Sequence, residues 1–259
     1  MFNTEVLEKH LATSWLGRSV YFFEELPSTN SYAKRIECDS SLHGALFLTD
    51  YQTGGRGQYD RTWNTNPGEN LTFSLVFEPK KAERFTLLTL ACALAVTEVI
   101  NKYSGLRAMI KWPNDVLHNK KKLCGILTET QFTGNKLERI VVGIGLNVNQ
   151  VEFPGELREV ATSLRRESSK KYSREKLLVE ILQNIEYRYR LWNQFNTDLV
   201  KQINHKMIGY GEWTNLLLNE EKLEGQYKFL GVNESGELVA VNRELDIKTF
   251  SYEQVRVQC

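Results

Sequence analysis

Apolar and polar residues alternate with a period near two through several stretches of this chain and switch to helical spacing in two long ones. Residues 19–25, SVYFFEE, are aromatic and β-prone and predict a strand that Pro27 ends. Ser28 or Thr29 then predicts the N-cap of a helix running through SYAKRIE to about Cys38. GALFLTD at 44–50 is a nearly continuous apolar run, the pattern of a strand covered on both faces. After the Pro67-Gly68 turn, NLTFSLVF at 70–77 puts Leu71, Phe73, Leu75 and Phe77 on one face and Thr72, Ser74 and Val76 on the other. Leu87 to Tyr103 carries apolar residues at helical spacing until Gly105, which predicts a core helix with Cys92 buried on it.

Strands resume with LRAMIKW at 106–112, and Pro113 forces Trp-Pro-Asn-Asp into an extended turn. LCGILTET (123–130) and RIVVGIGLNVN (139–149) are two further strands joined by the turn TGNK. Lys120, Lys121 and Lys122 precede the first of them and, taken alone, read as a solvated hairpin tip. Residues 165–176 form a basic, polar connector. A helix from about Ser173 to Phe195 follows, with Leu177, Ile181, Leu182, Ile185, Tyr189 and Trp192 on its inner face. From Gly209 the texture changes to short alternating segments punctuated by Gly225, Gly231 and Gly236, as in a small β-barrel. The whole pattern predicts an α+β fold: a mixed sheet with packed helices over 1–208, then the barrel over 209–259.

Composition excludes more than it selects. With 41% hydrophobic and 25% charged residues and a net charge of +1, the chain has no global field to recruit nucleic acid or an acidic membrane. We see no apolar run long enough to span a bilayer and no signal-peptide core at the N-terminus, so a cytoplasmic location is expected. Cys38, Cys92, Cys124 and Cys259 lack paired spacing and fit free thiols. His10, His43, His118 and His205 have no partners at metal-ligand spacing, so a zinc site is not expected.

The candidate chemistry centres on Tyr51–Trp63, YQTGGRGQYDRTW. Gly54, Gly55 and Gly57 can turn successive N–H groups into an anion-binding concavity through positive φ, and Arg56 and Arg61 flank it. The competing reading is a glycine-rich hairpin whose arginines are merely solvated. No G-x-x-x-x-G-K-[ST] loop or G-x-S-x-G elbow is present, and Gly143-Ile144-Gly145 lies inside a strand rather than at a dinucleotide-binding turn. What remains is a set of cations (Arg56, Arg61, Lys111, Lys122), amides (Gln52, Asn70, Asn114, Asn147) and one carboxylate (Asp115) in loops at strand ends. Such a set suits a polyphosphate and attack of a carboxylate on an α-phosphate, with Mg2+ accompanying the phosphates.

Gly-Arg-Gly at 55–57 with Arg61 and Trp63, then Lys111-Trp112-Pro113-Asn114-Asp115, then Lys122-Leu123-Cys124-Gly125-Ile126-Leu127, resembles the biotin protein ligases. Ser28-Thr29-Asn30, Gln52 and the run from Gly143 to Asn149 fall in matching order. The resemblance implies a catalytic domain like that of class II aminoacyl-tRNA synthetases at 1–208 and an SH3-like barrel at 209–259. It also implies a two-step reaction: biotin and MgATP give biotinyl-5′-AMP, and a lysine of a biotin carboxyl carrier protein then accepts the biotinyl group. By resemblance, Ser28, Thr29, Asn30, Gln52, Gly54, Gly55 and Gly125 belong to the biotin site. Arg56 belongs to the adenylate linkage and Lys122 to the biotin carboxylate. Arg61, Trp63, Asn70, Lys111, Asn114 and Asn147 are assigned to ATP, and Asp115 to orienting the incoming lysine.

Two departures stand out. The family loop commonly reads Gly-Arg-Gly-Arg-x-Gly-Arg, where this chain has Gln58 and Asp60. Only about eighteen residues precede the first strand, too few for a DNA-binding domain, so no repressor activity is expected. Either a monomer or a homodimer is compatible with the sequence. The rival readings are a lipoate or octanoate ligase and an RNA-binding protein using the GGRG loop. Near-zero net charge argues against the second.

Overall fold

The computed structural model describes residues 1–37, 41–58, 61–79, 84–218, 221–251 and 255–257. Cys38, Asp60 and Cys259, named above, lie outside them. Helix α1 (Thr4–His10) is capped by Asn3 and precedes strand β1 (Val20–Leu26). Ser28 caps α2 (Thr29–Arg35), which ends at Arg35 rather than near Cys38 because the chain turns extended at Ile36. Strands β2 (Leu46–Gln52) and β3 (Leu71–Phe77) follow, then helix α3 (Phe85–Ser104), which stops at Gly105 with φ 72°. The next strands are β4 (Met109–Lys111), β5 (Asp115–His118), β6 (Lys121–Thr133) and β7 (Lys136–Leu146). Short helices α4 (Leu157–Val160) and α5 (Leu164–Ser168) lead to α6 (Arg174–Asn193) and α7 (Thr197–His205).

One mixed sheet organises residues 20–146. Its order is β1-β2-β3-β7-β6-β5-β4, with β1 and β2 parallel and every other pair antiparallel. Every residue of β3 is buried, so the face that reads as polar is covered as well. Leu71, Phe73, Leu75 and Phe77 meet α3 and α6 in the main core, while Val76 joins Ala33, Phe47 and Val141 in a smaller core under α2. Helix α3 meets the length and apolarity of a membrane span, against the expectation above, yet most of it is buried between sheet and helices. The thiols of Cys92 and Cys124 are free and buried, and burial pushes that of Cys92 up to about 12.

Beyond α7 the chain forms strands β8 (Trp213–Thr214), β9 (Leu216–Leu218), β10 (Glu221–Lys222), β11 (Tyr227–Val232), β12 (Leu238–Val241), β13 (Ile247–Phe250) and β14 (Val255–Val257). They make a four-stranded sheet, β13-β12-β11-β8, and a three-stranded one, β10-β9-β14. Leu216, Phe229, Leu238 and Ala240 belong to the same buried cluster as α3 and α6, so the core runs through the expected boundary at 208/209 without a break. Trp112 Nε1 donates to Gly236 O at 3.1 Å across that boundary.

Candidate active site

Three strands lay the floor of the site in paired rows. Gly125 of β6, Gly145 of β7 and Thr72 of β3 lie side by side, then Leu127, Gly143 and Ser74, then Glu129, Val141 and Val76. A Cβ on Gly145 would stand 2.3 Å from the Trp63 indole, and one on Gly143 2.2 Å from the Asn30 amide oxygen. Glycine here lets side chains from outside the sheet rest on its backbone. Above this floor is a cleft with about 470 Å3 of empty space, part of it open to solvent.

Beside the start of α2 the cleft wall carries hydroxyls and amides. Ser28 Oγ accepts from Ser31 N as the cap of α2. Thr29 gives its backbone N–H and its hydroxyl to Gln52 Oε1, at 2.8 and 3.2 Å, which leaves Gln52 Nε2 without an acceptor among the described residues. Ser74 Oγ lies 2.7 Å from Thr29 Oγ1 and 2.6 Å from Asn30 Oδ1, with one proton to serve both. Asn30 Nδ2 donates to Leu127 O at 3.0 Å and to Glu129 at 2.9 Å. Its amide is therefore a strut between α2 and the sheet, while Gln52 keeps open donors.

A lysine run supplies charge to the same cleft. Asn119 and Lys120 form the β5–β6 turn, with φ of 46° and 66°, Lys121 Nζ reaches Arg158 O, and Lys122 lines the cleft. The lysine run thus divides, since successive strand residues point to different surroundings. Lys122 Nζ lies 2.6 Å from Asp115 Oδ1 and 5.6 Å from the centre of the Trp63 ring. Asn114, also lining the cleft, donates to Ile126 O at 2.7 Å. Asp115 belongs to β5, so the predicted extended turn is one residue shorter than expected.

The glycine loop folds back as a hairpin. Arg56 bridges Thr62, Gly57 N donates to Arg61 O at 2.6 Å, and Trp63 N donates to Gly55 O at 2.9 Å. Gly54, Gly55 and Gly57 are absent from the positive-φ glycines, which corrects the expectation of a cradle made by unusual backbone angles. Space is what Gly55 supplies: a Cβ there would come 2.3 Å from the Trp63 carbonyl oxygen and 2.7 Å from Gln52 Nε2. Gly54 N donates to Pro27 O and tethers the loop to the start of α2. Arg56 lines the cleft, and its Nη2 binds Ser31 Oγ and both oxygens of Glu129.

Four residues assigned to ATP do not line this cleft. Asn70 is buried and fully engaged, donating to Gln150 Oε1 at 2.5 Å and accepting from Val148 N at 3.0 Å. Asn147 Nδ2 donates to Thr162 O at 3.0 Å, fastening the segment that bridges Lys122 through Ala161. Both amides build the frame and neither lines the cleft. Arg61 is exposed, and Lys111 sits on β4 opposite Asp115, also off the cleft wall. Glu129 is the residue that the sequence reading missed. Its only signal was its place on the face of β6 shared with Gly125 and Leu127. Burial alone would raise its pKa, but hydrogen bonds from Lys34 and Asn30, with the charges of Lys34 and Arg56, hold it below the usual carboxylate value.

Residues 22–147 match the biotin/lipoate A/B protein ligase family. The bifunctional ligase/repressor BirA of Bacillus subtilis is 33% identical over 246 residues, 93% of this chain and 75% of that one. The biotin--[acetyl-CoA-carboxylase] ligase of Mycobacterium tuberculosis is 29% identical over 192 residues, covering 71% and 69%. Among solved structures, the biotin protein ligase from Aquifex aeolicus in complex with biotin and ATP matches with a TM-score of 0.80 at 29% identity, over 93% of this chain and 99% of that one. This chain belongs to the biotin/lipoate A/B protein ligase family. Within that family it is an enzyme of the biotin protein ligase class.

Proposed function

We propose that this enzyme joins biotin to ATP, forming biotinyl-5′-AMP and pyrophosphate, and then transfers the biotinyl group to a lysine of a biotin carboxyl carrier protein. The observation that carries this reading is the polarity of one cleft. A neutral set of hydroxyls and an amide, Ser28, Thr29 and Gln52, lines the same cleft as the Lys122 ammonium. A urea-like head group fits the first and a carboxylate the second. Lys122 lowers the repulsion between the biotin carboxylate and the α-phosphate as the C–O–P bond forms. Arg56 serves the same negative charge from the loop side. Trp63 gives adenine an apolar face beside the glycine floor.

Asp115, paired to Lys122, orients the acceptor amine. On transfer, the amine nitrogen bonds to the acyl carbon, the C–O bond to AMP breaks, AMP leaves with the electron pair, and the amine gives up one proton to the Asp115 carboxylate. Among the described residues no three His, Cys, Asp or Glu side chains gather as a metal cage. Mg2+ would accordingly be held by phosphate oxygens, with Asp115 as the neighbouring carboxylate.

Purified enzyme should release pyrophosphate with biotin and MgATP and label a biotin carrier domain. Lipoate should not substitute, and Lys122→Ala should lower the release at least ~100-fold, as loss of a transition-state charge partner does. Equal turnover with lipoate, or unchanged release by Lys122→Ala, defeats the reading.

A further inference from the structure

Glu129 is the point at which three segments meet. Its carboxylate accepts from Asn30 Nδ2 at 2.9 Å and Lys34 Nζ at 2.8 Å, both on α2, and from Arg56 Nη2 at 3.2 Å on the glycine loop. The carboxylate is the fixed member of this group, with 18% of its side chain exposed against 48% for Arg56. An unanchored arginine on a glycine loop samples many rotamers, and that freedom must be lost whenever it engages a ligand. One anchored Nη2 removes much of that cost in advance and aims a planar, forked donor.

A carboxylate beside an anion-binding cleft is ordinarily a liability, because like charges repel. Here two cations, Lys34 and Arg56, face one carboxylate, so the cluster keeps one net positive charge. The depressed pKa of Glu129 keeps the anchor ionised throughout the neutral range. Asn30 holds the carboxylate from the cleft side and is itself fixed by Leu127 O and Ser74. Hence the anchor does not drift with the loop.

We propose that Glu129 is a positioning residue for adenylate formation, holding Arg56 where the loop needs it. The proposal rests on the reading of Arg56 at the adenylate linkage. It calls for a double-mutant cycle of Glu129→Gln and Arg56→Ala, measured as the single-turnover rate of pyrophosphate release with biotin and MgATP. Glu129→Gln should slow the wild type about tenfold and the Arg56→Ala enzyme less than about twofold, the non-additivity expected of contacting residues that act as a unit. Lys34→Met removes the other cation while leaving the Arg56 anchor, and it should change the rate less than about twofold.

Additive losses in the cycle overturn the proposal, as does a loss in Lys34→Met equal to that in Glu129→Gln. So does a faster Glu129→Gln enzyme, which would make Glu129 a latch that withholds Arg56. If the wild type releases no pyrophosphate at all, the biotin ligase reading fails instead, and the two failures stay distinct.

Discussion

Asn70 shows what a residue type can and cannot announce. An amide near a candidate nucleotide loop has the donors and acceptor to read a base, and the sequence reading used it so. In the fold both sides of the amide are occupied, by Gln150 and Val148 N, and the residue is 3% exposed. Asn70→Ala should therefore cost stability rather than recognition, about 1–3 kcal/mol, because it strands a buried acceptor and donor. Urea unfolding followed by circular dichroism measures the cost. Biotinyl-AMP affinity per folded molecule should hold, and a large loss of affinity at unchanged stability would return Asn70 to the site. Ser28, Thr29, Gln52 and Lys122, by contrast, do line the cleft, with the polarity that each side chain advertises. Asn70 is spent internally, which depends on a partner 80 residues away; Asn147 donates to Thr162 O, while its buried Oδ1 has no hydrogen-bond partner among the described residues.

At the scale of elements, long regular patterns were readable and short capped ones were not. The buried stripes of α3 and α6 appear in the sequence at helical spacing, and the strands appear by alternation or apolar runs. Helices α1 and α7 escaped because each spans only two or three turns, too few to show a sustained apolar period, although an asparagine cap, Asn3 or Asn196, starts each. The Gly54–Trp63 loop was found for the wrong reason. Its glycines were expected to supply positive φ; none does, and Gly55 supplies room instead. The corrected reading separates two substitutions in one loop. Gly55→Ala would drive a Cβ into the Trp63 carbonyl and should cut pyrophosphate release by at least ~10-fold through overpacking. Gly57→Ala meets nothing closer than 3.4 Å and should stay within about threefold of wild type. Equal effects of the two would revive the positive-φ account.

Across the whole molecule, acid stability follows from groups far apart. Glu186 accepts backbone N–H groups from Ser14, Trp15 and Leu16, and Glu175 accepts from Asn3 N; both resist the upward push of burial and titrate below the usual carboxylate value, as Glu129 does. A depressed carboxylate stabilises the fold above its unfolded value, and that contribution drains away as pH falls through the native one. His43, stacked on Trp15, is held neutral by burial, with Glu78 opposing weakly, and its lowered pKa acts in the same direction from a higher starting point. The urea midpoint should thus be flat between the ordinary histidine value of 6.5 and the ordinary thiol value of 9.0, fall slightly below 6.5, and fall more steeply below the ordinary carboxylate value of 4.5. A His43→Gln variant should lose the first step only; a midpoint that rises on acidification would contradict all four assignments.

The paired glycines of β7 also constrain the topology. A strand with side chains missing at alternate positions is intrinsically weak, by roughly 0.5–1 kcal/mol for each glycine. It could not serve at an edge, where one ladder of hydrogen bonds would have to hold it. In this sheet β7 lies between β3 and β6 and is paired along both sides. Ligand recognition therefore sets a boundary condition on strand order: the segment hollowed out for the ligand has to be an interior one. A rearranged connectivity that moved β7 to the margin should lose the sheet before it lost the site.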